Sequence, residues 1–190
     1  QNDFTPGGKL AVKDGDAIIP RINALQERFN LIVATQDWHP ADHKSFASQH
    51  EGKNMFDVIE LNGHAQTLWP DHCVQGTKGA DFHSDLNTKK IQTIIRKGMQ
   101  HEVDSYSAFY DNNHQNATGL HGFLQEKKVN EVFVCGLAAD FCVYFTAMDA
   151  LNLGYTTHIL ERATKAIDEE TYAEKIKTFV SNNGFFTSYI

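Results

Sequence analysis

Cys142 closes the stretch Gly136-Leu137-Ala138-Ala139-Asp140-Phe141-Cys142, whose residue types suit a sheltered nucleophile. The stretch follows an apolar run, Val132 to Cys135, that reads as a buried strand, and it precedes a helical run to Leu153. Cys142 is therefore expected in the first turn of a helix. Unpaired N–H groups and the positive end of the helix dipole favour a thiolate there. Small residues at Gly136-Leu137-Ala138 would let main-chain N–H groups face a substrate oxygen, with the Cys142 N–H as second donor. The plainer alternative is a half-buried, inert cysteine in a connection.

Asp37-Trp38-His39 and Trp69-Pro70-Asp71-His72 hold the residue types of a metal site. Two imidazoles and one carboxylate, with remaining positions left to water or substrate, suit Zn²⁺, Fe²⁺ or Mn²⁺. His43 is close enough in sequence to add a ligand. Cys73 is a softer alternative to His72, although adjacent residues rarely reach one ion. A surface loop with scattered histidines is the competing reading.

Lys97, followed by Gly98, stands at the end of an expected strand; near Cys142 its ammonium would favour a thiolate. The competing reading is a strand-end lysine reaching into water. Phe4, Trp38, Trp69, Tyr106 and Phe109 fall in polar segments. Such rings line pockets for small flat ligands, or anchor loops.

The elements that must position these groups alternate. Helical periodicity covers 16–29, with Asp16 as candidate N-cap and Pro20 in the first turn. Strands are expected at 31–35, 91–96, 131–135, 155–160 and 184–189, and further helices at 118–128, 140–153 and 169–180. Residues 37–90 show little periodicity. The alternation predicts one α/β domain over 1–190 with a mainly parallel sheet, its ligands beyond the carboxyl ends of the strands.

The 190 residues are 41% hydrophobic and 22% charged, with a net charge of −7. That balance argues against a nucleic-acid partner. No apolar run approaches the roughly 18 residues that span a bilayer, and no targeting segment is evident. Three unevenly spaced cysteines do not make a disulfide framework, so a reducing, cytoplasmic setting fits. The aromatic loops could form a pocket, a homo-oligomer interface, or both.

Further motifs recur in order along the chain: Gln1-Asn2-Asp3-Phe4, Gln36-Asp37-Trp38-His39-Pro40, Ser45-Phe46-Ala47-Ser48, Trp69-Pro70-Asp71-His72-Cys73-Val74, Lys97-Gly98, Asp104-Ser105-Tyr106-Ser107-Ala108-Phe109 and the 136–142 turn. Together they resemble the nicotinamidase (pyrazinamidase) branch of the isochorismatase-like cysteine hydrolases, over nearly the whole chain. The resemblance implies a Rossmann-like three-layer sandwich with a six-stranded parallel sheet. It implies hydrolysis of nicotinamide to nicotinate and ammonia in NAD salvage, with pyrazinamide as a further substrate. It implies a divalent metal, Zn²⁺ first, on Asp37, His39 and His72. Cys142 becomes the nucleophile, Lys97 its cationic neighbour, and Ala138 and Cys142 the oxyanion hole, with a cis peptide before Ala138. Phe4, Trp69 and Tyr106 become the walls around the pyridine ring.

Two departures qualify the resemblance. The family's acid–base Asp lies two positions before the residue matched by Gln1, on a central strand, so the chain is expected to be an N-terminally truncated piece of that domain. Asp3 does not take that place. Ala139 stands where the family often has a hydroxyl residue. The alternatives are a relative acting on isochorismate or an N-carbamoyl compound, or a non-catalytic pyridine- and metal-binding scaffold.

Overall fold

The computed structural model describes residues 1–188. The parallel strands form two separately hydrogen-bonded sheets. One pairs β1 (Val33–Asp37) with β4 (Thr93–Lys97); the other runs β5 (Glu131–Gly136), β6 (Thr156–Thr164), β7 (Phe185–Thr187). The sixth strand implied by the resemblance is not among the described residues, and Tyr189 of the expected last strand lies outside them.

The helices are α1 (Ile19–Leu25), α2 (Leu120–Glu126), α3 (Tyr144–Asn152) and α4 (Glu169–Ser181). α1 is shorter than the periodicity of 16–29. Pro20 has no N–H and must sit in a first turn, so Gly15–Ile18 forms a 3-10 turn ahead of it and Asp16 makes no side-chain cap. A second 3-10 turn, Gln26–Arg28, ends the segment. α4 starts where Asp168 accepts the Thr171 N–H at 2.7 Å.

β1 was expected at 31–35 and lies two residues later. Its ladder runs from Val33 opposite Thr93 to Asp37 opposite Lys97, so cross-strand pairing carries it past the apolar run. The Asp37 and Lys97 side chains therefore end their strands side by side.

Residues 37–90 are not a bare loop. β2 (Val58–Leu61) and β3 (His64–Thr67) form an antiparallel hairpin. Its turn, Asn62-Gly63, has positive φ at both residues, as a twisted two-residue turn requires. The same region buries Phe46 and Leu68 completely and seals His39 and His43 from solvent. Its packing against the strand ends turns a polar segment into a wall.

The 136–142 turn also departs from expectation. Ala139–Val143 is a π turn, and α3 begins only at Tyr144. The Phe141 and Val143 N–H groups both reach the Ala138 carbonyl, at 3.2 and 3.1 Å. The Leu137–Ala138 peptide is cis.

Candidate active site

The carboxyl ends of β1, β4 and β5 converge on one small cavity, open to solvent. Phe4, Asp37, His39, Trp69, His72, Tyr106, Ala138 and Cys142 line it, and Lys97 lies against Cys142 and Asp37.

Lys97 is the hub. Its side chain is buried, and its ammonium meets Asp37 Oδ1 at 2.5 Å, the Ser105 carbonyl at 2.8 Å and Cys142 Sγ at 3.4 Å. Burial works against the charged form, but the Asp37 carboxylate and the Cys142 sulfur more than offset it, and Lys97 is held well above the ordinary lysine value. Asp37 is held well below the ordinary carboxylate range. Burial opposes that shift too, and Lys97 followed by His39 outweighs it.

Cys142 behaves differently from its helix-start expectation. Burial pushes its thiol up to about 11, and Lys97 only partly counters this. The side chain is half-buried at the cavity wall, and the surroundings of the sulfur outweigh the Lys97 ammonium in the direction of the shift. Among the described residues, no carbonyl takes the Ala138 main-chain N–H, which leaves it available as an oxyanion donor.

Asp37, His39 and His72 each bring one ligand atom within 4.8 Å of the others, and all are buried. His39 Nε2 and His72 Nε2 lie 3.8 and 4.0 Å from Asp37 Oδ2. Their Nδ1 atoms are tied to carbonyls, His39 to Gly98 at 2.9 Å and His72 to Pro70 at 2.8 Å. A ring that donates Nδ1–H to a carbonyl turns its Nε2 lone pair outward, which is the arrangement of a metal ligand. Burial, helped by nearby His39, pushes His72 down to about 4, so its ring is neutral at physiological pH. The donor set fits a divalent ion. Gly98 has φ +65°, and a Cβ there would run into the His39 ring, so only glycine permits this approach.

Cys73 is not a ligand. Its sulfur is buried in the Phe4–Trp69 cluster and faces the Gly79 carbonyl. Its own N–H donates to Asp3 Oδ2 at 2.7 Å, while Asp3 Oδ1 accepts the Lys9 N–H at 3.2 Å. Asp3 thus clamps the left-handed turn at Cys73 (φ 46°) that presents His72. Asp3→Ala should weaken zinc binding about 10-fold, as losses behind a ligand commonly do, with unchanged far-UV circular dichroism. Competition with a chelating dye measures this; wild-type affinity would remove Asp3 from the site.

The walls are aromatic. Trp69 meets Phe141 edge-on at 4.9 Å, and Tyr106 meets Phe141 at 5.3 Å. The Tyr106 hydroxyl accepts from Trp69 Nε1 at 3.2 Å and Gln66 Nε2 at 3.0 Å, which fixes both rings. Phe4 closes the side near His72, at 5.5 Å between ring centroids. Trp38 lies instead under Arg96, and Phe109 packs in the core against Tyr155.

Asp104, Phe141 and Ile167 line the cavity without having been singled out from sequence. Asp104 lay within a quoted motif, and its carboxylate was the available signal. Asp140 is fully buried; its carboxylate accepts the Ile167 and Asp168 N–H groups at 3.0 and 2.9 Å. It ties the start of α4 to the π turn.

The family model for the isochorismatase domain matches residues 1–189. The chain is 51% identical over 168 residues to a nicotinamidase of Acinetobacter baylyi, covering 88% of this chain and 78% of that protein. It superposes on the solved nicotinamidase/pyrazinamidase of Acinetobacter baumanii with a TM-score of 0.96 at 49% identity, covering 98% of this chain and 90% of that one. It also superposes on a Pyrococcus horikoshii pyrazinamidase solved in complex with zinc, with a TM-score of 0.80 at 35% identity, covering 100% and 94%.

Proposed function

The chain belongs to the isochorismatase family, in its nicotinamidase/pyrazinamidase branch, and on that premise we propose that it hydrolyses nicotinamide to nicotinate and ammonia through a thioester on Cys142. The observation that carries this reading is the Lys97 ammonium lodged between Asp37 and the Cys142 sulfur, at the floor of an aromatic-walled cavity.

The pyridine ring fits between Phe4, Trp69 and Tyr106. Cys142 Sγ, once deprotonated, attacks the carboxamide carbon, and the Ala138 and Cys142 N–H groups hold the developing oxyanion. Ammonia leaves with a proton, and water then cleaves the thioester to nicotinate and free thiol. A divalent ion on Asp37, His39 and His72, Zn²⁺ first by analogy with the zinc-bound pyrazinamidase, supplies a cationic anchor for the ring nitrogen or for water. The thiol sits at about 11, so it needs a proton acceptor. Pyrazinamide is the second substrate, and NAD salvage in the cytoplasm is the setting. No described helix is long and apolar enough to cross a membrane.

The buried ligand cluster disfavours the relatives acting on isochorismate or N-carbamoyl compounds, and the Lys97–Cys142 contact disfavours a non-catalytic scaffold. The test is ammonia release from nicotinamide by the zinc-loaded protein. Turnover of a carbamoyl compound with none of nicotinamide would overturn the proposal. A second test concerns the thiol. Its alkylation by iodoacetamide in residues 1–190 should keep accelerating from pH 7 to pH 10, because the thiolate fraction is still rising. A plateau below pH 8 would contradict the burial argument.

A further inference from the structure

A second group of buried side chains adjoins the ligand cluster and has no part in the chemistry above. It consists of His43 and Asp104, and it shares His39. A ring nitrogen of each histidine and a carboxylate oxygen of Asp104 lie within 4.8 Å of one another. The His43 ring packs against that of His39 at 4.6 Å.

The hydrogen bonds decide what His43 offers. The Ser45 main-chain N–H donates to His43 Nδ1 at 3.1 Å, and Ser45 Oγ lies 2.8 Å from the same atom. A main-chain N–H can only donate, so Nδ1 presents its lone pair and the ring proton resides on Nε2. His43 is 0% exposed, and among the described residues its Nε2 has no hydrogen-bond partner. The Val103 carbonyl lies nearby without closing a bond. Asp104 has acceptor capacity to spare. One oxygen takes the Ser105 N–H at 2.7 Å, and the other has only a long contact, 3.4 Å, with the Gln66 amide.

A buried donor left without a partner is costly. Here it lies beside a carboxylate with free lone pairs, in a polar cluster that opens on the cavity through Asp104. A second cation does not fit. His43 would have to give up the Ser45 N–H to free a lone pair at Nε2. His39 has only Nε2 to offer, since its Nδ1 is tied to Gly98, and that atom already faces Asp37. A water molecule satisfies every group: it accepts from His43 Nε2–H and donates to Asp104.

We propose that His43 and Asp104 are positioning residues that hold a buried water between them, which fixes the His43 ring packed on His39 at 4.6 Å and so helps retain the metal ion, while His43 itself is not a ligand. The inference rests on the metal-site reading given above.

Co²⁺ serves as the probe, bound to metal-stripped protein, and the readouts are its dissociation constant and its visible d–d absorption. The variants are His43→Leu, which removes the donor, His43→Gln, which restores an N–H of similar reach, and Asp104→Asn. His43→Leu and Asp104→Asn should weaken Co²⁺ binding about 10- to 100-fold and keep the wild-type band positions. His43→Gln should bind close to wild type. Should His43→Leu fail to fold, the other two variants still decide. Band shifts in His43→Gln, with a loss as large as that of His72→Ala, would make His43 a direct ligand and overturn the proposal. Unchanged affinity in His43→Leu and Asp104→Asn would overturn it as well. Wild-type protein that fails to bind Co²⁺ would overturn the metal-site reading first, and this inference with it.

Discussion

Alanine at Cys142 should lower nicotinamide turnover by about 10⁴-fold or more, the scale seen when the nucleophile of a covalent hydrolase is removed. The melting temperature should barely move. The sulfur's one hydrogen-bond partner among the described residues is Lys97 Nζ, at 3.4 Å, and Lys97 keeps Asp37 and the Ser105 carbonyl when the sulfur is gone. The substitution therefore strands no buried charge. Metal content should also stay at the wild-type level, because no ligand is touched. Serine should not rescue activity, since burial that already pushes a thiol to about 11 would hold a hydroxyl even more firmly protonated. Ammonia release, measured in parallel with metal content and thermal unfolding, checks this. Turnover within ten-fold of wild type would sink the thioester route while leaving the family assignment intact.

The second large effect is on stability. Lys97→Met leaves the Asp37 carboxylate buried without its cation, which costs about 3–5 kcal/mol when one partner of such a pair is lost. For a chain of this length that corresponds to a fall in melting temperature of about 6–20 °C. The measurement belongs on metal-free protein, so that an ion cannot stand in for the ammonium. Adding Asp37→Asn to Lys97→Met should recover much of the loss, because the stranded charge is then gone. The pH dependence has a definite sign. Asp37 is held below its ordinary value by Lys97, so the wild type's gain from the pair is complete above about pH 4 and fades as pH falls below it. In Lys97→Met the buried carboxyl is raised, so that variant regains stability as pH falls and the group takes up its proton. A constant gap between the two proteins from pH 8 to pH 4 would count against the ion-pair account.

The residues proposed for the chemistry were legible in sequence because their types are unusual at strand ends and turns. Lys97 after an apolar strand, and Asp37 with His39 two positions on, are poor choices for simple core or surface. The structure gathers Phe4, Asp37, His39, Trp69, His72, Tyr106, Ala138 and Cys142 at one cavity with Lys97 against it, while Trp38 and Phe109 lie elsewhere. What sequence did not convey was the surroundings of the sulfur. A cysteine near a helix start suggests a thiolate, yet burial of Cys142 reverses the direction of the shift. Strand limits were off for a related reason: periodicity follows apolar residues, whereas the ladder follows hydrogen bonds, and β1 runs on through Gln36 and Asp37. Asp104, Phe141 and Ile167 reach the cavity through loop and turn geometry that no period encodes. The β2–β3 hairpin had a readable signal in Asn62-Gly63, but the weak alternation around it hid the strands.

One consequence follows from the pairing of Asp37 opposite Lys97. Neighbouring side chains on a strand point to opposite faces, so a slip of β1 against β4 by a single residue turns one of these two away from the other. Molecules with that slip could be as compact as the native form and yet carry no working centre. The ion pair is thus a proofreading mark on the assembly of the sheet, written in chemistry instead of packing. Counting reactive Cys142 sites per chain, with a substrate-shaped thiol reagent, would measure what share of a refolded population has passed it.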